Sequence, residues 1–63
     1  MKHAEATYID LGFKYERAQS PKSGQAVAQA IRTLIEGERV EDRADARYLV
    51  DRGRQEARQG AAA

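Results

Sequence analysis

Four arginines near the end of the chain have the spacing of a binding surface. They are Arg43, Arg47, Arg54 and Arg58. Their relative positions of 0, 4, 11 and 15 place them along one side of a helix. Guanidinium groups bind phosphates and carboxylates, so the row is a candidate surface for contact with nucleic acid or with an acidic protein. The interpretation that we prefer is an ordinary solvated face, in which Arg47 pairs with Asp51 and Arg52 pairs with Glu56.

The remaining polar residues do not indicate catalysis. His3 is the only histidine, and a general base or metal site built on it would need partners that no motif supplies. Ser20 and Ser23 are both explained by the start of a helix, where serine caps free backbone N–H groups. We therefore expect a protein that is not an enzyme and that binds neither a metal nor a cofactor.

A group of carboxylates surrounds the boundary at Gly37. Its members are Glu36, Glu38, Glu41, Asp42 and Asp45. Arg39 and Arg43 are interleaved with these acids, and the spacing is not that of a calcium-binding loop. We interpret the group as solvated acids near the start of a helix, where negative charge complements the helix dipole.

The chain is so short that a single copy can form only a small hydrophobic core. It has 63 residues, of which 41% are hydrophobic, but 12 of those hydrophobic residues are alanine. A domain of this size buries only about 60% of its unfolded surface and is marginally stable as a monomer. Small proteins compensate with disulfides, metals or self-association. Because the chain contains no cysteine, we predict one small domain that forms a homodimer.

Charge and hydropathy predict a cytoplasmic protein. The net charge is +1, from 11 basic and 10 acidic residues, which gives no general attraction to nucleic acid or anionic lipid. The chain has no run of about 18 apolar residues that would span a membrane. Residues 1–5 lack the apolar segment of a signal peptide, and the absence of cysteine fits a reducing compartment.

The middle of the chain carries clear helix signals. Ser20 suits an N-cap and Pro21 suits the first helical position, while Gly37 suits the position just after a helix. Between them an apolar stripe has helical spacing. It consists of Val27, Ala30, Ile31, Leu34 and Ile35. We predict a helix at about residues 21–36.

A second helix is predicted at about residues 42–58. Acids gather at its start and arginines at its end, which complements the helix dipole. Its apolar stripe contains Ala46, Leu49, Val50, Gly53 and Ala57. Gly53 is costly inside a helix unless another backbone packs against it. Residues 60–63 are expected to form a frayed tail.

Residues 7–15 alternate in the manner of a β-strand. An extended backbone would sort them onto two faces. One face carries Thr7, Ile9, Leu11, Phe13 and Tyr15, and the other carries Tyr8, Asp10, Gly12 and Lys14. Because no second strand is visible in the chain, we predict that this strand pairs with its copy in another chain. The predicted fold is mainly α with one N-terminal strand, β-α-α, in an obligate dimer.

The alternative fold is an all-α assembly of three helices, dimeric or domain-swapped, with residues 4–18 as the first helix. A helical stripe exists in this segment and consists of Ala4, Tyr8, Leu11, Tyr15 and Ala18. It leaves Ile9 and Phe13 outside the stripe, which favours the strand. Ser20-Pro21 and Gly37-Glu38 are the hinges at which such a chain would exchange helices with its copy.

The order of one strand and two helices in about 50 residues resembles the ribbon-helix-helix DNA-binding family. That resemblance rests on element order and length over about residues 7–58. It implies a paired ribbon whose outward side chains enter the major groove. In this chain the outward set would be Tyr8, Asp10, Gly12 and Lys14. DNA binding is therefore the alternative function, and Lys14 is the one base reader of a usual type.

The preferred functional hypothesis is a small homodimeric regulator or interaction protein that acts by binding another macromolecule, and the preferred partner is a protein. The predicted dimer core consists of Ile9, Leu11, Phe13, Tyr15, Ile31, Leu34, Leu49 and Val50. The predicted surface for a partner or for nucleic acid consists of Tyr8, Lys14, Arg43, Arg47, Arg54 and Arg58. Tyr48 is expected to cover the edge of the last helix's stripe.

Overall fold

The described part of the chain folds as three helices. The structure, a computed structural model, describes residues 3–62. Helix α1 spans Glu5–Glu16, helix α2 spans Pro21–Glu36 and helix α3 spans Val40–Ala62. No strand occurs within the described residues, so the predicted strand at residues 7–15 is wrong, and with it the β-α-α fold and the pairing of strands between chains. The all-α alternative of three helices is confirmed.

Helix α1 forms although its residue types favour a strand, because its packing follows helical spacing. Tyr8 and Gly12, one turn apart, are its buried residues. A single helical stripe leaves out Ile9 and Phe13, yet both are half-buried. They are accommodated because α1 lies over α3 with Gly12 at the contact, so that apolar side chains flank the contact on both sides. Such tertiary packing outweighs local strand propensity.

Helix α2 begins and ends at the residues that carry its sequence signals. The Ser20 hydroxyl accepts a hydrogen bond from the Ser23 N–H at 3.1 Å, and Pro21 lies in the first turn. At the other end the Gly37 N–H donates to the Thr33 carbonyl at 3.2 Å. Gly37 has φ −77°, so it ends the helix without adopting the left-handed conformation common at that position.

Helix α3 is longer than the segment predicted from the sequence. It begins at Val40 rather than near residue 42, and it continues through Ala62. Glu41 and Asp42 in its first turn complement the positive end of the helix dipole. The segment expected to fray is helical at residues 60–62, and Ala63 lies outside the described residues.

Helices α1 and α3 cross in close backbone contact at two glycines. A Cβ atom on Gly12 would lie 2.8 Å from the carbonyl carbon of Val50, and one on Gly53 would lie 2.8 Å from that of Ile9. Real Cβ atoms do not come so close to other atoms, so both positions require glycine. The condition placed on Gly53, that another backbone pack against it, is confirmed. We call this contact the glycine seam.

The core is small and lies where the three helices meet. Its buried members are Tyr8, Ile35, Ala46, Leu49 and Val50. Ile9, Ile31 and Leu34 pack against it and remain partly exposed. Most of the contact between helices is between α1 and α3, and α2 contacts both less extensively. Within residues 3–62 no helix is both long and apolar enough to cross a membrane.

Candidate binding groove between α2 and α3

A buried polar contact fixes the turn between α2 and α3. The Tyr8 side chain is 0% exposed, and its hydroxyl donates to Glu38 Oε2 at 2.5 Å and to the Leu34 carbonyl at 3.3 Å. The same Glu38 oxygen accepts from the His3 backbone N–H at 3.2 Å. Burial raises the pKa of Tyr8, and the hydrogen bond to Glu38 and its negative charge raise it further. We call the pairing of Tyr8 with Glu38 the tyrosine lock.

A second set of hydrogen bonds holds the same turn from the side of α3. Arg43 Nε donates to the Glu38 carbonyl at 3.3 Å, and a terminal nitrogen of Arg43 donates to the Glu36 carbonyl at 3.1 Å. The Glu36 carbonyl ends α2, where backbone acceptors lack helical partners, and the Glu38 carbonyl lies in the turn that follows. The side chain of Arg43 therefore serves the junction of α2 and α3.

A groove of about 400 Å³ lies between α2 and α3. Its apolar lining consists of Ala28, Ile31, Ile35, Val50 and, from α1, Tyr15. Its charged lining consists of Arg32, Glu36, Arg47 and Arg54. Three guanidinium groups against one carboxylate give the groove a positive edge beside an apolar floor. We call this feature the arginine groove.

One of the three arginines is held in place by α1. Arg54 Nε donates to Glu16 Oε2 at 2.9 Å, and its guanidinium carbon lies 4.9 Å from the centre of the Tyr15 ring. The other Glu16 oxygen accepts from Arg58 at 2.9 Å. The hydrogen bonds from Arg58 and Arg54 hold the pKa of Glu16 below its ordinary value. Arg54 is therefore an ordered part of the groove wall.

The other two arginines of the groove, Arg32 and Arg47, are exposed. Neither forms a hydrogen bond, an ion pair or a ring contact with any residue in the described range 3–62. The expected pairing of Arg47 with Asp51 is not made, and an Asp51 oxygen instead accepts from the Gln55 amide at 2.9 Å. The expected pairing of Arg52 with Glu56 is made, at 3.6 Å. Arg32 and Arg47 therefore carry open charges at the groove.

The predicted partner surface is divided among different roles. Tyr8 is buried in the tyrosine lock rather than exposed as an interface anchor. Lys14 pairs with Asp10 at 2.9 Å, and Arg43 holds the interhelical turn. Arg54 and Arg58 converge on Glu16, which leaves Arg47 as the member of the predicted row that is open to a ligand. Tyr48 is 65% exposed and does not cover the stripe of α3.

The residues predicted as a dimer core fall into three groups. Leu49 and Val50 are buried within the single chain. Ile31 and Leu34 of α2, and Leu11 and Tyr15 of α1, are half-buried, and Ile31 and Tyr15 line the arginine groove. Ile9 and Phe13 lie on the opposite side of α1, beside Glu56 of α3. The alternation that put Ile9, Leu11, Phe13 and Tyr15 on one face does not exist in a helix, and their role between two chains stays a prediction.

Three residues of the site are not indicated by the sequence patterns. Arg32 belongs to the polar side of α2, and nothing local shows that this side borders a groove. Glu16 meets α3 residues some forty positions away. Glu38, interpreted above as a solvated acid, is only 3% exposed because the turn directs it at Tyr8. The roles of these residues depend on contacts between different helices, and helical spacing within one segment does not reveal such contacts.

The groove offers charge and apolar surface to a ligand. Among the described residues no three histidine, aspartate or glutamate side chains converge in the manner of a metal site. Comparisons with protein-family models, with curated proteins and with solved structures give no match for this chain.

Proposed function

We propose that this chain is a small binding module that holds an acidic, amphipathic helix of another protein in the arginine groove. The observation that carries the proposal is the pair of open arginines, Arg32 and Arg47, beside the apolar floor formed by Ile31, Ile35 and Val50. An arginine that has no partner among residues 3–62 favours a ligand of opposite charge. The apolar floor favours a ligand that has an apolar face of its own.

A helix fits these requirements better than a small anion does. Helical ligands place apolar side chains in a groove at intervals of three or four residues and carry charges on either side of that stripe. Here the apolar stripe would cover Ile31 and Val50, and the flanking carboxylates would reach Arg32 from one side and Arg47 from the other. Arg54, already fixed by Glu16, adds a preordered donor to the groove wall.

The alternative of DNA binding by a paired ribbon loses its structural basis, because residues 7–15 are helical. The outward set of that ribbon included Tyr8 and Gly12, and both are buried against other helices. A regulatory or adaptor role without catalysis, exercised in the cytoplasm, remains part of the proposal. This role is supported by the composition of the arginine groove, which combines open arginines with an apolar floor, an arrangement suited to binding.

The test uses a defined probe, an acetylated peptide of about 16 residues with leucine at every third or fourth position and glutamate elsewhere. Backbone NMR signals of Ile31, Ile35 and Val50 should shift on titration with this peptide. Arg47→Glu should weaken binding about tenfold or more, because it replaces an attraction by a repulsion. Raising the salt concentration should weaken binding by the wild-type chain.

Arg39→Glu provides the matched control. It makes the same change of charge at a side chain that is 82% exposed and does not line the groove. This variant should bind the peptide nearly as well as the wild type. Equal losses in both variants, or equal affinity for a peptide with lysine in place of glutamate, would contradict the proposal. Displacement of the peptide by random duplex DNA at the same residues would favour a nucleic-acid ligand instead.

A further inference from the structure

A second apolar surface lies on the side of α1 that faces away from α2. Ala6, Ile9 and Phe13 form it together with the neighbouring Asp10 and Glu56. On α1 these residues are separated by three or four positions, so they follow one line along the helix. Tyr8 and Tyr15, which contact or border α2, lie on the other side of Gly12. We call this second surface the outer flank.

The charges of the outer flank are arranged around Phe13. Asp10 precedes Phe13 by three positions, and Arg17 follows it by four. The Arg17 guanidinium carbon lies 5.4 Å from the centre of the Phe13 ring, and Asp10 is bridged to Lys14 at 2.9 Å. The line therefore reads acid, aromatic ring and base from its N-terminal to its C-terminal end.

We infer that the outer flank binds the outer flank of a second copy of this chain, with the two α1 helices antiparallel and a two-fold axis close to Phe13. In that arrangement Asp10 of each copy is level with Arg17 of the other, because the two residues are nearly equidistant from the axis. Two Phe13 rings meet at the centre, and each Ile9 packs beside the aliphatic part of an arginine. A parallel arrangement would bring like charges together at both ends.

The size of the core supports a second copy rather than another occupant. Among the residues whose burial the structure describes, the buried apolar side chains are Tyr8, Ile35, Ala46, Leu49, Val50 and Ala57. Two of these six are alanines, so little apolar area is removed from water. Covering Ile9 and Phe13 would enlarge the core with residues that α1 already presents. Self-complementary patches of this kind are what two-fold dimers use.

The inference does not depend on the proposed function, and it adds a property to it. The outer flank and the arginine groove share no lining residue and lie on opposite sides of the glycine seam. A dimer formed through the flank therefore leaves two grooves open to solvent. Such a dimer would hold a ligand with two acidic helices, or two linked ligands, more tightly than either groove alone.

Sedimentation equilibrium of two charge variants, alone and mixed, tests the inference. Asp10→Arg places a positive residue at both ends of the outer flank, and Arg17→Asp places a negative residue at both ends. Two copies of the same variant would therefore bring like charges together, so each variant alone should sediment with the mass of one chain. In an equal mixture every facing pair joins opposite charges. The mixture should therefore recover the mass of two chains that the wild type shows at concentrations from about 10 μM to about 1 mM.

Two further variants separate the interface from the fold. Phe13→Ala should lower the dimer fraction while the helical circular dichroism signal stays unchanged, since Phe13 is partly exposed in the single chain. Arg47→Glu changes the groove and should sediment like the wild type. A wild-type mass of one chain over the whole concentration range would overturn the inference. A mixture of the two charge variants that stays at the mass of one chain would overturn it as well.

Discussion

The glycine seam and the arginine groove are two contacts of the same helix, α3, and they are built in opposite ways. In the seam, the backbones of α1 and α3 approach until no Cβ atom fits between them at Gly12 and Gly53. In the groove, side chains of α2 and α3 stand apart and leave about 400 Å³ between them. The seam cannot accept even one additional methyl group, whereas the groove has room for a ligand.

The two sides of α3 therefore differ in role, since one supports the fold and the other is open to a partner. Interiors packed at crystal density do not deform to admit a ligand, so a seam of touching backbones provides a rigid base. Apolar surface that the helices leave uncovered is available to a partner. The tyrosine lock keeps α2 in position at the end of the groove without filling it. Binding capacity is thus found where the helix packing is incomplete.

The largest effect is expected from adding one methyl group to the seam. Gly53→Ala would place a Cβ against the backbone of Ile9, so α1 must move away, at a cost of about 3 kcal/mol of unfolding free energy. Urea denaturation followed by circular dichroism measures this loss. Ala28→Leu adds three carbon atoms to the lining of the groove and should change the unfolding free energy by less than about 0.5 kcal/mol.

Gly24→Ala supplies the control for helix propensity. A Cβ there would meet only the Ala18 side chain at 3.9 Å, an ordinary contact. This variant should be more stable than the wild type, by up to about 1 kcal/mol, because alanine is the better helix former. If Gly53→Ala behaved like Gly24→Ala, the close approach of α1 and α3 would not exist in solution.

A smaller effect is expected from opening the tyrosine lock. Tyr8→Phe keeps the ring in the core but removes the hydroxyl that donates to Glu38, which leaves a buried carboxylate short of one donor. We expect a loss of about 2 kcal/mol in thermal or urea unfolding. The loss should be similar at low and high salt, because the pair is buried. An unchanged midpoint would mean that Glu38 is solvated.

The same lock predicts how stability depends on alkaline pH. The pKa of Tyr8 is raised in the folded chain from its ordinary value of 10.0, so the folded state favours the neutral phenol. The resulting stabilisation is present below pH 10.0 and is lost as the pH rises above that value. Wild type should therefore lose stability in this range more steeply than Tyr8→Phe. Parallel curves for the two proteins would contradict the assignment.

The smallest effect is expected at Glu16, the residue of α1 that holds Arg54 in the wall of the groove. Glu16→Gln weakens the bonds to Arg54 and Arg58, which are partly open to solvent, so stability should fall only slightly at neutral pH. The pKa of Glu16 is lowered on folding from 4.5, so its contribution is present above that pH and is lost as the pH falls below it. The unfolding midpoints of the two proteins should converge in acid. A difference that grows in acid would refute this.

The parts of the fold that the sequence could predict are those with local causes. Ser20, Pro21 and Gly37 act through backbone groups within one turn, and α2 begins and ends beside them. The stripe of α3 was also visible in the sequence, since Ala46, Leu49 and Val50 are all buried. The acids near residue 41 are typical of a helix start, although α3 begins slightly earlier.

The conformation of residues 7–15 could not be decided locally. The alternation of apolar and polar residues is compatible with a strand, and the apolar stripe at helical spacing is compatible with a helix. What decides between the two is Gly12, whose lack of a side chain admits the backbone of Val50 from another helix. With α3 beneath it, α1 needs apolar residues on both flanks, which explains Ile9 and Phe13. Only the pairing of distant segments reveals this requirement.

The candidate site was predictable only in part for the same reason. The positive charge of α3 was visible in the spacing of its arginines, and Arg47 was among them. Which arginines are open depends on Glu16, a residue of α1 that takes up Arg54 and Arg58. The contribution of Arg32 depends on how α2 lies along α3. Sequence spacing gives the inventory of charges, and tertiary packing decides which of them are neutralised.

The seam also bears on how the polypeptide reaches its native state. Gly12 and Gly53 are 41 positions apart, so the ribosome must synthesise α2 and the first half of α3 before α1 meets the helix on which it lies. Helical bundles usually fold quickly because their contacts are local, whereas here a long loop must close first. A nascent chain that ends after α2 should therefore leave Ile9 and Phe13 exposed to chaperones, and acquisition of structure should be a late, cooperative event.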